Sequence, residues 1–319
     1  MGCESKGIAE RAMMGIDKAR FVTTLPVRET FMDSLNVEWL GRPTYPSYKI
    51  SAPNLEGQRL SRAHRIQLAT RPGSEIFFFL QLNFSANRKE GPRNVLELNP
   101  NNVAGGVREL YALLDRLFEH FHPALFRISR LDLNADVCLP VEQIFQTLYV
   151  PPKRKGESHL LTDKEGRTRR QFKRFLTGFY IGSSPAMLRV YDKLEELKSK
   201  KKSISDMPDP LTRLEFEFRH HKCPVRDLTD ISKLAAVEPF RGLQFFKFPP
   251  QITNGKQSAR RTALQELVRS VGMHQAIRSL NGDRHFRRDY QGILEPMPEM
   301  SDLLQRAYLE GVKRFLLMK

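Results

Sequence analysis

Residues 127–137 read RISRLDLNADV, which is the most informative strand pattern in the chain. Successive side chains of a β-strand point to opposite faces, and here apolar and polar residues alternate. The apolar face holds Leu131, Leu133, Ala135 and Val137. The polar face holds Arg130, Asp132, Asn134 and Asp136. The pattern therefore predicts a strand that packs one face on a core and carries an acidic row on the other.

Two further segments repeat this design. Residues 213–219 read RLEFEFR, with Glu215 and Glu217 on the polar face. Residues 95–99 read VLELN, with Glu97 on the polar face. For each segment the alternative is a half-solvated strand whose acidic residues only form salt bridges with neighbouring cations.

Strand and helix signals along the rest of the chain predict the fold class. β-Type runs cover residues 19–25, 76–84, 93–98, 126–137, 175–181, 188–191 and 212–219. Residues 107–121 carry apolar side chains at helical spacing. Strands that are separated by helices and loops, many of them with one polar face, favour an α+β protein. We expect a mostly antiparallel sheet with flanking helices.

The chain is expected to have three parts. Residues 1–17 carry no periodic pattern and are predicted to be a loose leader. Residues 18–250 form the sheet-based domain, which ends at a Pro-Pro pair. Residues 251–319 contain two amphipathic patterns, at 258–280 and 301–317, which predict a small C-terminal helical subdomain.

Composition narrows the classes of partner. Among 319 residues, 52 Lys and Arg oppose 36 Asp and Glu, so the formal net charge is +16. Such an excess attracts polyanions, either nucleic acids or anionic membranes. A membrane is disfavoured, because the longest apolar run, residues 76–80, is far shorter than the roughly 20 residues of a spanning helix. Three scattered cysteines form no disulfide framework or zinc motif and favour a reducing cytoplasm.

One segment concentrates the positive charge. Residues 151–202 hold 15 Lys or Arg against 6 Asp or Glu. Aromatic residues interleave with the basic ones Arg169, Arg170, Lys173 and Arg174. Proteins that bind single-stranded nucleic acid use both residue types, because the cations contact phosphates while the aromatic rings stack on bases. The segment is therefore predicted to contact DNA or RNA, the alternative being a solvated loop.

The acidic rows are candidate ligands for a metal ion. Oxygen ligands converging from neighbouring strands suit Mg²⁺ or Mn²⁺. The candidates are Asp132, Glu215, Glu217 and Glu97. Asp132 and Asp136 stand about 13 Å apart on a straight strand that rises roughly 3.3 Å per residue, so they cannot share one ion without a bend. Asp132 is therefore the preferred ligand, and Asp136 a supporting or turn residue.

Two tyrosines are candidate nucleophiles. Residues 177–193 read TGFYIGSSPAMLRVYDK and contain Tyr180 and Tyr191. A phenol with a pKa of about 10 attacks poorly at neutral pH unless cations or a metal favour its anion. Arg189 and Lys193 alternate with Tyr191, so all three are expected on one side, where the cations could hold a phosphate. The alternative is that both tyrosines are half-buried sheet residues.

These segments together resemble the replication initiation factor family. RLDLNAD at 130–136 resembles its R-x-D-h-a-h-D stretch, where h is hydrophobic. YIGS at 180–183 followed by RVYDK at 189–193 is similar to its Y-h-G-S…R-h-Y-[DE]-K signature. RLEFEFR at 213–219 resembles its R-h-E-h-x-h-[RK] strand, and LELNP at 96–100 its early acidic strand. The family contains rolling-circle initiators of staphylococcal-type plasmids and filamentous phages, and related conjugative relaxases.

The matches follow the family's order over about residues 16–250. The resemblance implies that residues 18–250 are a catalytic replication-initiator domain that nicks one DNA strand with a divalent metal. It also implies a 5′-phosphotyrosine intermediate and, often, a homodimer. The implied partners are an origin of replication, single-stranded or hairpin, and a host helicase.

One position departs from the family pattern. In the plasmid initiators the nucleophilic tyrosine follows the Y-[DE]-K element by a few residues, where this chain has Glu195 or its neighbours. Phage-type members also lack a tyrosine there. Tyr191 is therefore the first choice and Tyr180 the second, with Arg189, Lys193 and Arg219 positioning the strand.

The sequence thus predicts a rolling-circle initiator in the cytoplasm of a bacterial host. A conjugative relaxase of the same family is the nearest alternative. A metal-dependent nuclease would use the same carboxylates with water as the attacking group. A non-enzymatic, sequence-specific DNA-binding protein would carry the acidic rows only as salt-bridged strands.

Overall fold

A computed structural model describes residues 15–28, 62–71, 74–84, 93–100, 103, 105–151, 168–172, 176–183, 185–201, 203–205, 207–249, 255–280 and 292–317. The strands, in chain order, are β1 (Ile16–Thr23), β2 (Arg62–Arg71), β3 (Ser74–Phe84), β4 (Arg93–Leu98), β5 (Arg127–Val137), β6 (Leu148–Tyr149), β7 (Thr168–Phe172), β8 (Leu176–Ser183), β9 (Ala186–Asp192), β10 (Thr212–Arg219), β11 (Gln244–Lys247) and β12 (Glu295–Pro296). The α-helices are α1 (Gly106–Leu117), α2 (Val141–Thr147), α3 (Lys193–Ser199), α4 (Gly255–Leu280) and α5 (Pro298–Leu317). Short 3₁₀ helices cover Pro123–Leu125, His220–Lys222 and Leu228–Ala236.

The predicted α+β class with a mostly antiparallel sheet is confirmed. Strand β4 pairs antiparallel with both β1 and β3, and β3 pairs antiparallel with β2. Strand β8 pairs antiparallel with both β7 and β9, and β9 pairs antiparallel with β10. Strands β12, β11 and β6 form a separate small sheet in that order.

The chain divides into two compact units. Unit A comprises Ile16–Asp132, Arg219–Val237 and Gly311–Lys319. Unit B comprises Met1–Gly15, Leu133–Phe218 and Glu238–Glu310. Strands β5 and β10 therefore contribute residues to both units. The domain boundaries expected after residues 17 and 250 stay predictions.

Unit A orders its strands β2-β3-β4-β1-β5. Helix α1 buries the apolar stripe that its sequence predicts, namely Leu110, Leu113, Leu114 and Leu117. The helix ends at Leu117, and Phe118 then forms a β-bridge with Val27. The rings of Phe118 and Phe126 meet edge to face with their centroids 5.1 Å apart, a favoured aromatic geometry. Both rings are fully buried.

Unit B orders its strands β5-β10-β9-β8-β7. The apolar faces of its strands are buried, as their alternation predicts: Leu214, Phe216 and Phe218 on β10, Leu188 and Val190 on β9, Phe179 and Ile181 on β8. Phe145 of α2 packs edge to face on Phe179 at 5.2 Å. The polar residues Arg213, Glu215 and Glu217 are buried as well. Strand β10 is therefore shielded from water on both faces, which the sequence pattern did not indicate.

The predicted C-terminal helices are present as α4 and α5. Glycine breaks α4 at residue 272, where φ is +81° and ψ is 159°. A Cβ atom at Gly272 would lie 2.6 Å from the ring of Phe145, so both the backbone angle and the close approach require glycine. Around the break, Val268 and Met273 pack in a buried cluster with Tyr149. In the described part of the chain, no helix is both long and apolar enough to cross a membrane.

Candidate active site

Tyr191 and Glu215 lie on neighbouring strands of unit B, and their side chains meet. Strands β9 and β10 pair with Tyr191 opposite Arg213 and with Arg189 opposite Glu215. Side-chain alternation places all four residues on one face of the sheet. The phenol of Tyr191 donates a hydrogen bond to Oε2 of Glu215 at 3.0 Å. The phenolic proton therefore already has a carboxylate acceptor.

Arg189 joins two carboxylates of this face. Its Nη1 lies 2.9 Å from Oε1 of Glu215 and 3.4 Å from Oε2 of Glu217. The two glutamate side chains are 2% and 6% exposed, whereas that of Arg189 is 29% exposed. Carboxylates this deep need a positive partner, because an unpaired buried charge costs several kcal/mol. Arg189 supplies that charge and still reaches solvent.

Gly178 leaves room for the Tyr191 side chain. Strand β8 pairs with β9 so that Gly178 faces Tyr191 and Tyr180 faces Arg189. A Cβ atom at residue 178 would lie 2.9 Å from the carbonyl oxygen of Val190 and 3.1 Å from Cβ of Tyr191. A larger residue would therefore have to push the two strands apart. Tyr180, the second candidate nucleophile, shares this face and is half-buried.

Lys193 begins helix α3 instead of continuing strand β9. The side chain of Asp192 caps this helix by accepting a hydrogen bond from the backbone N–H of Glu195 at 3.0 Å. Nζ of Lys193 lies 5.8 Å from the ring centroid of Tyr191, within the range of a cation–π contact. The same ammonium donates to Oε2 of Glu196 at 2.5 Å. Lys193 is thus beside the phenol, as expected, but shares its charge with a glutamate of its own helix.

One ion pair of this face is closed to solvent. Nε and Nη2 of Arg213 donate to Oδ1 and Oδ2 of Asp136 at 2.6 and 2.7 Å. The side chains are 1% and 3% exposed. Two parallel bonds from a guanidinium fork give the most specific geometry of an Arg–carboxylate pair. Asp136, expected as a supporting or turn residue, is thereby the partner that ties β5 to β10.

The other two predicted metal ligands belong to unit A, and each has cations of its own. Asp132 is buried and accepts two hydrogen bonds from Arg130, at 2.9 and 2.7 Å. Glu97 lies 3.1 Å from Nζ of Lys18 and accepts from Nε of Arg20 at 2.7 Å. Burial raises the pKa of Glu97, but the two cations outweigh it and set that pKa below its ordinary value. Both carboxylates are therefore held in ion pairs within unit A.

The residues predicted to contact DNA are described to different extents. Arg169 and Arg170 lie on strand β7, with Arg169 opposite Tyr180 in the pairing of β7 and β8. Lys173 and Arg174 lie outside the described residues. Arg219 is the last residue of β10 and is half-buried. The DNA-contacting role of this group stays a prediction.

The oxygen donors of this face fit a hard divalent cation. Within the described ranges, no group of three or more His, Cys, Asp or Glu side chains is placed to hold a metal ion. Glu215 and Glu217 nevertheless both reach one guanidinium nitrogen, which marks a position where a positive charge contacts both carboxylates. Mg²⁺ is commonly held by one or two carboxylates, with waters and substrate phosphates completing its shell. Two glutamates therefore suffice for Mg²⁺ or Mn²⁺.

Three contributions to this face were not predicted from the sequence. The partnership of Arg213 with Asp136 joins residues 77 positions apart, and no local signal reports it. Gly178 could have been noticed, because an isolated glycine in a strand often marks a close approach. Asn134 was seen only as an amide between two acidic residues, although its side chain is fully buried.

Two comparisons of the chain with known proteins gave no match. No protein-family model matches it, and no curated protein sequence matches it. The likeness to replication initiation factors is therefore a likeness of motifs.

Proposed function

We propose that this chain is a DNA-nicking and strand-transfer enzyme that initiates rolling-circle replication in a bacterial cytoplasm. Tyr191 is the proposed nucleophile and a phosphodiester of one DNA strand the substrate. The observation that carries the proposal is the hydrogen bond from the Tyr191 phenol to Glu215, beside Arg189. A nucleophile with a base in reach and a cation beside it is the arrangement that nucleophilic catalysis requires.

The proposed reaction is a transesterification. The Tyr191 oxygen attacks the phosphorus and forms a bond to it, while the bond between the phosphorus and the 3′ oxygen breaks. Oε2 of Glu215, which lies 3.0 Å away, takes the phenolic proton, and the leaving 3′ oxygen acquires a proton to become a hydroxyl. The products are a 5′-phosphotyrosine and a 3′-hydroxyl that a polymerase can extend. Attack by a 3′-hydroxyl on the phosphotyrosine reverses the step and rejoins the strand.

The cations of this face have distinct proposed tasks. Arg189 is partly exposed and contacts Glu215, so it can bind the phosphate next to the phenol. Nζ of Lys193 lies 5.8 Å from the centroid of the Tyr191 ring, where its charge would favour the phenolate anion. Glu215 and Glu217 would hold Mg²⁺ or Mn²⁺, which when bound supplies a Lewis acid for the phosphate oxygens.

The net charge of the chain supports a nucleic-acid substrate. A formal charge of +16 raises the local concentration of polyanions and speeds their encounter with the protein. Arg169, Arg170, Lys173, Arg174 and Arg219 are the proposed strand contacts. If they bind phosphates, affinity falls steeply with added salt, because each neutralised phosphate releases counterions.

The test is covalent capture of DNA by the full chain. Single-stranded oligonucleotides labelled at the 3′ end are incubated with Mg²⁺, because a 5′-phosphotyrosine retains the downstream fragment. Wild-type protein should give a labelled band that survives SDS, and Tyr191→Phe should give none while binding the same DNA in fluorescence anisotropy. Tyr180→Phe is the matched control and should retain the band. If Tyr180→Phe loses the band and Tyr191→Phe keeps it, the nucleophile is Tyr180.

A non-enzymatic DNA-binding protein is the second candidate, and two buried Arg–Asp ion pairs favour it. Asp132 with Arg130 and Asp136 with Arg213 form bidentate pairs, so each carboxylate is already engaged by a guanidinium of the protein. This candidate predicts tight DNA binding with no SDS-stable band from the wild-type chain. A nuclease with water as attacker would instead release cut DNA without a protein adduct. A relaxase of the same motif class would form the adduct but would be specific for a transfer origin.

A further inference from the structure

Asn134 is a buried amide whose hydrogen-bonding groups are unused. It lies on β5 in unit B with 0% of its surface exposed. Neither Oδ1 nor Nδ2 has a hydrogen-bond partner within the described ranges. A buried polar group left in this way costs free energy, so native proteins rarely retain one without a ligand, ion or water that engages it.

The register of β5 against β10 directs this amide toward Glu215. Arg213 bonds Asp136, and the hydroxyl of Thr212 donates to the carbonyl oxygen of Leu139 at 2.5 Å. Strands β5 and β10 are neighbours in the sheet, and the partner's number rises as the β10 number falls, which is the sense of antiparallel strands. Counting two residues along antiparallel strands from the bonded pair of Arg213 and Asp136 sets Asn134 opposite Glu215, on the same face.

We infer that Asn134 is a cation ligand that completes a divalent-metal site with Glu215 and Glu217. Two carboxylates and a neutral amide oxygen are the ligand types that Mg²⁺ and Mn²⁺ prefer. The inference deepens the proposed function, on which it rests for the role of the ion. It adds a ligand that the acidic rows alone did not indicate.

Arg189 and the cation compete for the same carboxylates. Nη1 of Arg189 contacts both Glu215 and Glu217. A metal ion that binds the same carboxylate oxygens is repelled by the guanidinium and therefore displaces it or binds more weakly beside it. The guanidinium can leave, because its side chain is 29% exposed while the glutamates are almost fully buried. Cation binding therefore frees Arg189 for a phosphate.

The test measures Mn²⁺ binding by isothermal titration and by the Mn²⁺ electron paramagnetic resonance signal, on the full chain without DNA. Asn134→Leu, of similar volume, should weaken Mn²⁺ binding at least tenfold. Its unfolding midpoint without added metal should stay the same or rise, because an unpaired amide has been removed. Asn134→Asp retains an oxygen ligand and should bind at least as tightly as wild type. Arg189→Gln removes the competing cation and should bind several-fold more tightly.

The outcomes separate the inference from its rivals. Wild-type affinity in Asn134→Leu means that the amide is no ligand and is satisfied by water instead. Equal weakening by Asn134→Leu and Asn134→Asp means that the residue only supports the strand. If wild-type chain binds no Mn²⁺ at millimolar concentration, the site is overturned. The SDS-stable DNA band is a separate readout, since a tyrosine nucleophile can be present although Asn134 is not a ligand.

Discussion

Two arginines on one face of unit B hold carboxylates in opposite ways. Arg213 engages Asp136 with both arms of its fork, and both side chains are almost fully buried. Arg189 touches Glu215 and Glu217 with one nitrogen and remains 29% exposed. The first pair satisfies its charges within the protein. In the second pair, the guanidinium reaches solvent beside two glutamates that are almost fully buried.

The difference shows how one sheet face can combine rigidity with reactivity. The closed pair lies two residues before Glu215 on β10 and fixes that strand against β5. The open pair is thereby presented at a set position beside Tyr191. Buried ion pairs contribute little net stability but strongly penalise the loss of one partner. The closed pair is therefore a structural element, and the open pair the candidate chemical one.

Removal of Arg213 should have the largest effect on stability. Arg213→Met leaves the carboxylate of Asp136 buried without a partner, which should lower the free energy of unfolding by about 3–5 kcal/mol. Arg189→Met should lower the free energy of unfolding by less than Arg213→Met does. We expect a loss above the roughly 1 kcal/mol of an exposed ion pair and below about 3 kcal/mol. Urea unfolding of both variants measures the difference.

The double variant Arg213→Met/Asp136→Leu is the matched control. It removes both charges, so it should recover most of the stability that Arg213→Met loses. If Arg189→Met proves as destabilising as Arg213→Met, the distinction between a closed and an open pair is lost.

A methyl group at Gly178 should disturb the open side of the face. Gly178→Ala brings a Cβ atom against the Val190 carbonyl and Cβ of Tyr191, so β8 and β9 must separate slightly. Such overpacking costs about 1–3 kcal/mol. The displaced phenol should form the SDS-stable DNA band at least tenfold more slowly, while DNA binding measured by anisotropy is retained. An unchanged rate would show that the position of the Tyr191 side chain does not depend on Gly178.

The smallest predicted effect concerns the ion pair that engages Lys193. Burial raises the pKa of Glu196, but hydrogen bonds from Lys193 and Lys200 outweigh it and lower the pKa from 4.5 to about 2. Because the folded pKa is depressed, the stabilisation is present above pH 4.5 and is lost as the pH falls toward about 2. Glu196→Gln should therefore cost about 1 kcal/mol at pH 7, in keeping with a partly exposed pair.

Urea unfolding at pH 7 and pH 2 checks this window. The difference between wild type and Glu196→Gln should be much smaller at the lower pH, where about half of the Glu196 carboxyl groups are protonated. Glu195→Gln is the control on the same helix, because Glu195 pairs with Lys198, which is 52% exposed. If Glu195→Gln lowers the free energy of unfolding at pH 7 as much as Glu196→Gln does, the ion pair between Glu196 and Lys193 contributes no more than an exposed pair.

Much of the fold could be predicted because periodicity reports which face of an element is buried. The run at 212–219 predicts β10 with its observed bounds, and the pattern at 258–280 predicts α4 to within three residues at its start. Strand β2 was missed, since Arg62–Arg71 mixes basic and apolar residues without a clear alternation. The short helix α2 was missed because seven residues give less than two turns of apolar spacing.

The site was less predictable, because alternation gives the face of a side chain but not its partner. Glu215 and Tyr191 were both singled out, yet their contact depends on a register that pairs Tyr191 with Arg213. The alternation of apolar and polar residues gave no sign that the polar face of β10 is buried. It is buried, and its charges are paired: Arg189 of β9 contacts Glu215, and Arg213 of β10 itself pairs with Asp136 of β5. Such partners lie tens of residues away and leave no local trace in the sequence.

The glycine break in α4 sets the phase of the helix on either side of it. The Phe145 ring of α2 fills the space where a side chain at residue 272 would stand. This close contact fixes the position of the second half of the helix against α2. One residue inserted between Leu267 and Gly272 would turn the first half by about 100° and leave the second half seated. Natural variation in the length of α4 should therefore be confined to its N-terminal half, and relatives should differ there in the direction of their outward side chains.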